Sequence, residues 1–266
     1  MNSVYQNYEK KNGIIIHKQE DFAGMQKAGK LGKEVLDFIA PYVTEGVSTL
    51  YLNDLCHDFI INNGAIPAPL NYGSPPFPKS ICTSVNHVVC HGIPSAEKTL
   101  KTGDIMNIDV TVILDGYYGD TSRMYTIGKP SILCERLINI TYNAMMAGIE
   151  QAKPGNTLRD IAIAIEEIVK KAGFSCVRDF CGHGIGKIFH MSPQVMHYNE
   201  KSSDYQDLIL EEGMFFTVEP MVNAGTHHTI VSKFDHWTAT TRDKKPSAQF
   251  EHTIGITKNG NEIFTG

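Results

Sequence analysis

Five residues scattered along this chain have the chemistry to share one metal site: Asp109, Asp120, His183, Glu219 and Glu251. Each sits in a short, distinctive string, in order NID, YGDTS, CGHGIG, TVEPMV and SAQFEHTI. Four carboxylates and one imidazole do not suit a soft thiolate centre. They suit divalent ions, and carboxylates can bridge two such ions lying side by side. A paired-metal site of that kind serves hydrolysis.

Taken singly, each residue has an ordinary explanation. An Asp in a strand is commonly a solvated face residue or one end of a salt bridge. Asn107, Asp109 and Thr111 share one face of INIDVTVI, which also fits the wet side of a hairpin. Glu219 lies alone in the apolar run FFTVEPMV, and acids are rarely buried without partners. A lone histidine is more often structural than a ligand. The glycines beside His183, however, leave room for something to approach the backbone. Glu251 alone would pass for a surface residue. The set points to metal; no single member does.

The elements that must position these groups can be sketched from periodicity. Met25, Ala28, Leu31, Val35 and Ile39 follow a 3.6-residue repeat, and Pro41 closes that helix. A second helix fits TLYLNDLCHDFIINNG, stopped at Asn63-Gly64. The Pro/Gly-rich PAPLNYGSPPFPKS, carrying Tyr72 and Phe77, is a shaped loop. Two strands flank Asp115-Gly116, a type I′ hairpin signal. If that turn has two residues, Leu114 pairs with Tyr117, Thr111 with Asp120 and Asp109 with Ser122. Asp109 and Asp120 then sit on one face as diagonal neighbours, about 7–8 Å apart at the backbone. Left bare, like charges so placed repel, and a cation relieves the conflict. Helices follow at about Cys134–Lys153 and Thr157–Ala172, and the remainder is strand-like. One internal echo stands out: Leu100-x-x-Gly103 leads into Asp109 at the spacing by which Leu210-x-x-Gly213 leads into Glu219. It suggests two related halves. No linker divides the chain, so the expectation is a short flexible lead-in over 1–12 and one α+β domain over 13–266, its strands largely antiparallel.

Composition narrows the class. The 266 residues are 42% hydrophobic and 20% charged, ordinary for a globular protein with a real core. A net charge of −5 argues against a protein that coats DNA. The N-terminus has no apolar h-region and no stretch is long enough to span a bilayer, so the expected location is cytoplasmic. The six cysteines form no CxxC pair and are expected as reduced, mostly buried thiols.

The strings SVNHVVCHGIP, NIDVTVILDGYYGDTS, CGHGIGKIFHMSPQV, FTVEPMVNAG and SAQFEHTI resemble type I methionine aminopeptidases, and the resemblance covers roughly residues 14–266. It implies the pita-bread fold, with pseudo-twofold halves around a central antiparallel sheet covered by helices. It also implies two divalent metal ions (Mn, Fe, Co, Zn or Ni), with Asp109 on one, His183 and Glu219 on the other, and Asp120 and Glu251 bridging. His91 and His190 resemble the active-site histidines that contact substrate, and Glu219 the group that accepts a proton. Tyr72, Phe77, Cys82, Phe189 and Trp237 would line the methionine pocket. Asn86, Val88 and Ser247 match a monovalent-cation site of some members. The implied partners are nascent polypeptide N-termini near the ribosome, acted on by a monomer when the second residue is small. Two departures are visible: the loop between Tyr72 and Phe77 is long, and His87 stands where an acid is common. Xaa-Pro aminopeptidases of the same fold and a non-enzymatic binding module are the alternatives.

Overall fold

Apolar spacing in the N-terminal quarter becomes helix α1 (Gln19–Ile39), which buries Phe22, Met25, Ala28, Leu31, Val35, Leu36 and Ile39. The computed structural model describes residues 3–201 and 203–266. Pro41 enters a 3₁₀ turn, Ala40–Tyr42, that ends α1. Helix α2 (Thr49–Asn62) starts where the Ser48 hydroxyl accepts the Tyr51 N–H at 3.2 Å. Residues 3–12 carry no periodic signal, yet a 3₁₀ turn, Ser3–Tyr5, and strand β1 (Glu9–Lys11) fall there, β1 pairing with β2 (Ile14–Ile16) just beyond. Tertiary contact supplies what local pattern lacks: Tyr5 is buried edge-on to His17, which is stacked on Phe215.

Short strands β3 (Ile66–Pro67), β4 (Cys82–Val85) and β5 (Val88–Cys90) lead to the hairpin of β6 (Ile105–Leu114) and β7 (Tyr117–Thr126). Its turn has φ of 51° at Asp115 and 82° at Gly116, the I′ signature. The register is the one counted from the turn: Leu114 opposite Tyr117, Thr111 opposite Asp120, Asp109 opposite Ser122. Strands β3 and β4 pair antiparallel with β6.

The second half repeats the plan. Helix α3 (Ile132–Gln151) is capped by Ser131, and α4 (Leu158–Lys171) by a reciprocal Thr157–Asp160 box. Strands β8 (Ser175–Cys176), β9 (Gly182–Gly184), β10 (Met191–Val195), β11 (Phe215–Val218) and β12 (Met221–Asn223) come next. After the hairpin of β13 (Thr229–Val231) and β14 (Ala239–Thr241) come β15 (Ser247–Gln249), β16 (His252–Thr257) and β17 (Gly260–Ile263). All the strand pairs among the described residues are antiparallel.

Backbone bonds make the sequence echo a structural one. Leu100 exchanges bonds with Gly46 and Val47 just before α2; Leu210 does the same with Gly155 and Asn156 just before α4. Ser48 bridges Thr99, and Thr157 bridges Ile209. Gly103 donates to Ile127, and Gly213 to Ile256. One apolar core lies under α1 and α2 against β6, and a larger one under α3 and α4. Burying apolar faces on both sides of the centre leaves the polar residues of the strands facing each other between the halves.

Candidate metal centre and substrate pocket

Glu219 and Glu251 sit where strand pairing is interrupted, whereas Asp109 and Asp120 lie within a regular hairpin. Asp109 projects from β6 and Asp120 from β7, on one face of that hairpin. Glu219 comes directly after β11, where Pro220 interrupts pairing. Glu251 lies opposite that break, between β15 and β16: Val218 pairs with His252 and Met221 with Gln249, leaving the acids in the gap. The halves join here, because Ser122 pairs with Asp109 on one side and bridges Glu251 on the other. Side chains lock the seam: Thr121 donates to the Glu251 carbonyl at 2.8 Å and Thr253 to the Asp120 carbonyl at 2.7 Å.

His183 comes from β9, squeezed between β10 and β11. What approaches its glycine-flanked backbone is neighbouring backbone: a Cβ on Gly182 would lie 2.3 Å from the Thr217 carbonyl oxygen, and one on Gly184 2.1 Å from that of Ser192. The His183 N–H donates to Thr217 Oγ1, which donates in turn to Glu219 Oε1 at 2.8 Å. His183 Nε2 stands 3.4 Å from Asp120 Oδ2 and 3.6 Å from Glu219 Oε1. One donor atom each from Asp120, His183 and Glu251 lies within 4.8 Å of the others.

All five residues face one cavity of about 360 Å³, as do His91, His190, Tyr72, Phe77, Cys82, Phe189 and Trp237. All of these were named from the sequence; Thr111, Asp179, Phe180, Cys181 and Met221, which also line the cavity, were not among the site residues it named. It missed the groups that hold Glu219 as well: its N–H donates to His197 Nε2 at 3.1 Å, and Gln249 Nε2 donates to Oε2 at 3.2 Å. The Tyr72–Phe77 loop is tied to the cavity wall: Trp237 Nε1 donates to the Pro75 carbonyl at 3.0 Å. His87 is half-buried and does not line the cavity. Asn86 and Ser247 adjoin, with the Ser247 N–H donating to the Asn86 carbonyl, but these two and Val88 lie outside the cavity wall.

Electrostatics carry the fit to a cation. Desolvation raises the Asp109 carboxyl well above its ordinary range, and the charges of Asp120 and Glu219 add to it. Glu251 is raised in the same way. Glu219 is pushed up to about 7, first by desolvation and then by Asp120, against the opposing pulls of His183 and the Thr217 hydroxyl. Desolvation alone would lower His183; its contact with Asp120 and the charges of Glu219 and Asp120 outweigh that and raise it. No Lys or Arg among the described residues lines the cavity. Among the described residues no cationic side chain other than His183 pairs with these acids. Oxygen donors crowded without a counter-charge, beside one imidazole, fit divalent cations. His91 and His190 are both lowered to about 4 by desolvation; for His190 the charge of His183 contributes too, although its ring edge stays open to the cavity. His91 has a φ of 55°, a strained backbone typical of functional positions.

Residues 23–258 match the pattern of metallopeptidase family M24. The chain belongs to that family. This M24 chain is 60% identical over 252 residues to the methionine aminopeptidase of Rickettsia prowazekii, covering 95% of each. The crystal structure of that enzyme superposes with a TM-score of 0.91, covering 95% of this chain and 100% of the other. Identity to the methionine aminopeptidase of Escherichia coli K12 is 51% over 253 residues, covering 95% and 94%. A prolidase from Pyrococcus horikoshii, 22% identical with a TM-score of 0.72, shares the fold, and this M24 chain spans only 63% of it. The architecture is thus the pita-bread α+β fold expected from the resemblance.

Proposed function

We propose that this protein removes the N-terminal methionine from polypeptides by metal-assisted hydrolysis. The observation that carries this reading is end-to-end identity of 60% to a methionine aminopeptidase, joined to a cavity in which all five expected ligands converge. The Xaa-Pro-cleaving alternative is not favoured, since enzymes of that kind match only at fold level. A binding module is disfavoured by the filled ligand set.

Asp109, Asp120, His183, Glu219 and Glu251 would hold two divalent ions, the raised carboxylates Asp109, Glu219 and Glu251 ionising as the ions bind. Bound there, divalent ions lower the pKa of a water and polarise the scissile carbonyl. We assign Glu219 to accept the water's proton. His190 faces the carbonyl oxygen and stabilises charge developing on it. His91, neutral at physiological pH, faces the peptide nitrogen. Tyr72, Phe77, Cys82, Phe189 and Trp237 enclose the methionine side chain, an unbranched thioether suited to aromatic walls. From the family resemblance we propose that only a small second residue is accepted. We place the enzyme in the cytoplasm as a monomer acting on nascent chains close to the ribosome; no helix among the described residues is long and apolar enough to cross a membrane.

The test is release of free methionine from Met-Ala-Ser in metal-free buffer, with Mn, Fe, Co, Zn and Ni restored one at a time. Methionine release that depends on an added ion, with no cleavage of Ala-Pro peptides, is expected. Cleavage of Ala-Pro alone, or none with any ion, would overturn the reading.

A further inference from the structure

A second basin of about 470 Å³ adjoins the first cavity and shares Cys181, His183 and His190 with it. Its other walls are Met191, Ser192, Gln194 and Tyr205, none of them charged. Strand β10 supplies the floor. It is the terminal strand of its sheet, pairing with β9 on one edge and with no other strand among the described residues. Period-two alternation buries Pro193 and Val195 and leaves Ser192 and Gln194 exposed along the basin.

Tyr205 forms the far wall and is fixed in place. It lies in a 3₁₀ turn, Asp204–Asp207, that Arg159 of α4 ties down by donating to the Ser203 carbonyl at 2.7 Å. The neighbouring Gln206 is buried and donates to the Tyr198 carbonyl at 2.8 Å. The Tyr205 hydroxyl accepts the Gln194 N–H at 2.8 Å, at the edge of β10, while the ring remains 38% exposed. The result is a hydrogen-bonded aromatic side chain beside two exposed polar side chains.

We propose that the substrate chain beyond its second residue lies across this basin, with Tyr205 as its platform and Ser192 and Gln194 as its polar contacts. The proposal rests on the aminopeptidase reading and adds a direction to it. His183 and His190 are common to both cavities, so the scissile bond sits at their shared wall. The aromatic cavity takes the methionine, and the uncharged open basin takes the later residues of the peptide. Aromatic area and uncharged polar groups recognise a peptide with little regard to sequence, as an enzyme acting on many chains requires.

The experiment compares kcat/KM for Met-Ala amide and Met-Ala-Ser-Ala in the metal-loaded enzyme. Extension should raise kcat/KM in the wild type. Tyr205→Ala should shrink that gain roughly fivefold, the usual effect of losing one such contact. Tyr205→Phe, which keeps the ring, should retain most of it. Gln194→Trp, filling the basin from an exposed position, should shrink the gain without depending on Tyr205 folding. A wild-type ratio near one, or the same ratio in every variant, would overturn the basin proposal while leaving methionine release intact. Failure of the wild type to release methionine from either peptide would instead overturn the aminopeptidase reading, and the basin with it.

Discussion

The Tyr72 hydroxyl and His190 Nδ1 lie 2.8 Å apart, and this bond decides what His190 presents to the cavity. Desolvation holds the Tyr72 phenol above its ordinary value, so it stays protonated and is able to donate its O–H to Nδ1. The His190 tautomer that accepts this bond carries its proton on Nε2, which is the form the proposed carbonyl role requires. His190→Ala should lower kcat on the order of 100-fold with little change in KM, as for loss of an oxyanion donor. Tyr72→Phe should cost only a few-fold, about the worth of one neutral hydrogen bond. Steady-state kinetics on Met-Ala-Ser checks both, and an unchanged kcat in His190→Ala rules out the carbonyl role.

Crowding the carboxylates has a stability cost that metal offsets. Asp109→Asn and Glu251→Gln each remove an acid that folding makes harder to ionise, in a cavity lined by no Lys or Arg among the described residues. Turnover should fall by on the order of 100-fold or more, because a neutral amide is a poor ligand and cannot bridge ions. The melting temperature of the chelated protein should rise, since like-charge repulsion is relieved. Opposite signs for activity and stability distinguish a metal centre from carboxylates used structurally, where both would fall together.

The pH dependence of the chelated protein stems from the same charges. Asp109, Glu219 and Glu251 are raised, Glu219 to about 7, so each ionises less readily folded than unfolded. Raising pH therefore costs folded stability until each folded value is passed. His183 is also raised and acts in the same direction: its contribution is full below about pH 6.5 and fades as pH climbs through its folded value. The lowered histidines His91, His190 and His197 act oppositely, but only below about pH 6.5. From about pH 6.5 to 8 the melting temperature of chelated protein should fall, and the rise produced by added Mn should grow. Calorimetry at stepped pH checks this, and a metal-induced rise independent of pH would refute it.

Much of the site was legible because it rides on local rules. The Asp115-Gly116 turn fixed the β6–β7 register, and with it the shared face of Asp109 and Asp120. The Leu100 and Leu210 echo proved to be matching backbone bonds before α2 and α4. What stayed hidden was non-local. Nothing near His197 in sequence reveals that its Nε2 accepts the Glu219 N–H, nor does Pro75 announce the indole of Trp237. The hairpin of β1 and β2 was invisible for the same reason: β1 is polar and aperiodic, and the segment is held by packing of Tyr5 and His17 against distant parts of the chain.

Trp237 has two separable duties, and one substitution elsewhere tells them apart. It lines the cavity proposed to take the methionine side chain, meeting Phe77 edge-on at 5.4 Å and His91 at 5.9 Å, and its Nε1 donates to the Pro75 carbonyl of the long loop. Trp237→Ala removes both. Preference for Met over Leu at the N-terminus should fall about tenfold, the scale on which one apolar pocket contact discriminates. Gly73→Ala leaves the indole in the sequence but displaces it. A Cβ there would lie 2.5 Å from Trp237 Cη2, and φ is +79°, where Ala is strained. If position matters as much as presence, Gly73→Ala should lose a comparable share of the preference, and Trp237→Phe, which keeps an aromatic wall, should lose less. Equal Met-to-Leu ratios of kcat/KM in wild type and Trp237→Ala would remove Trp237 from the pocket wall altogether.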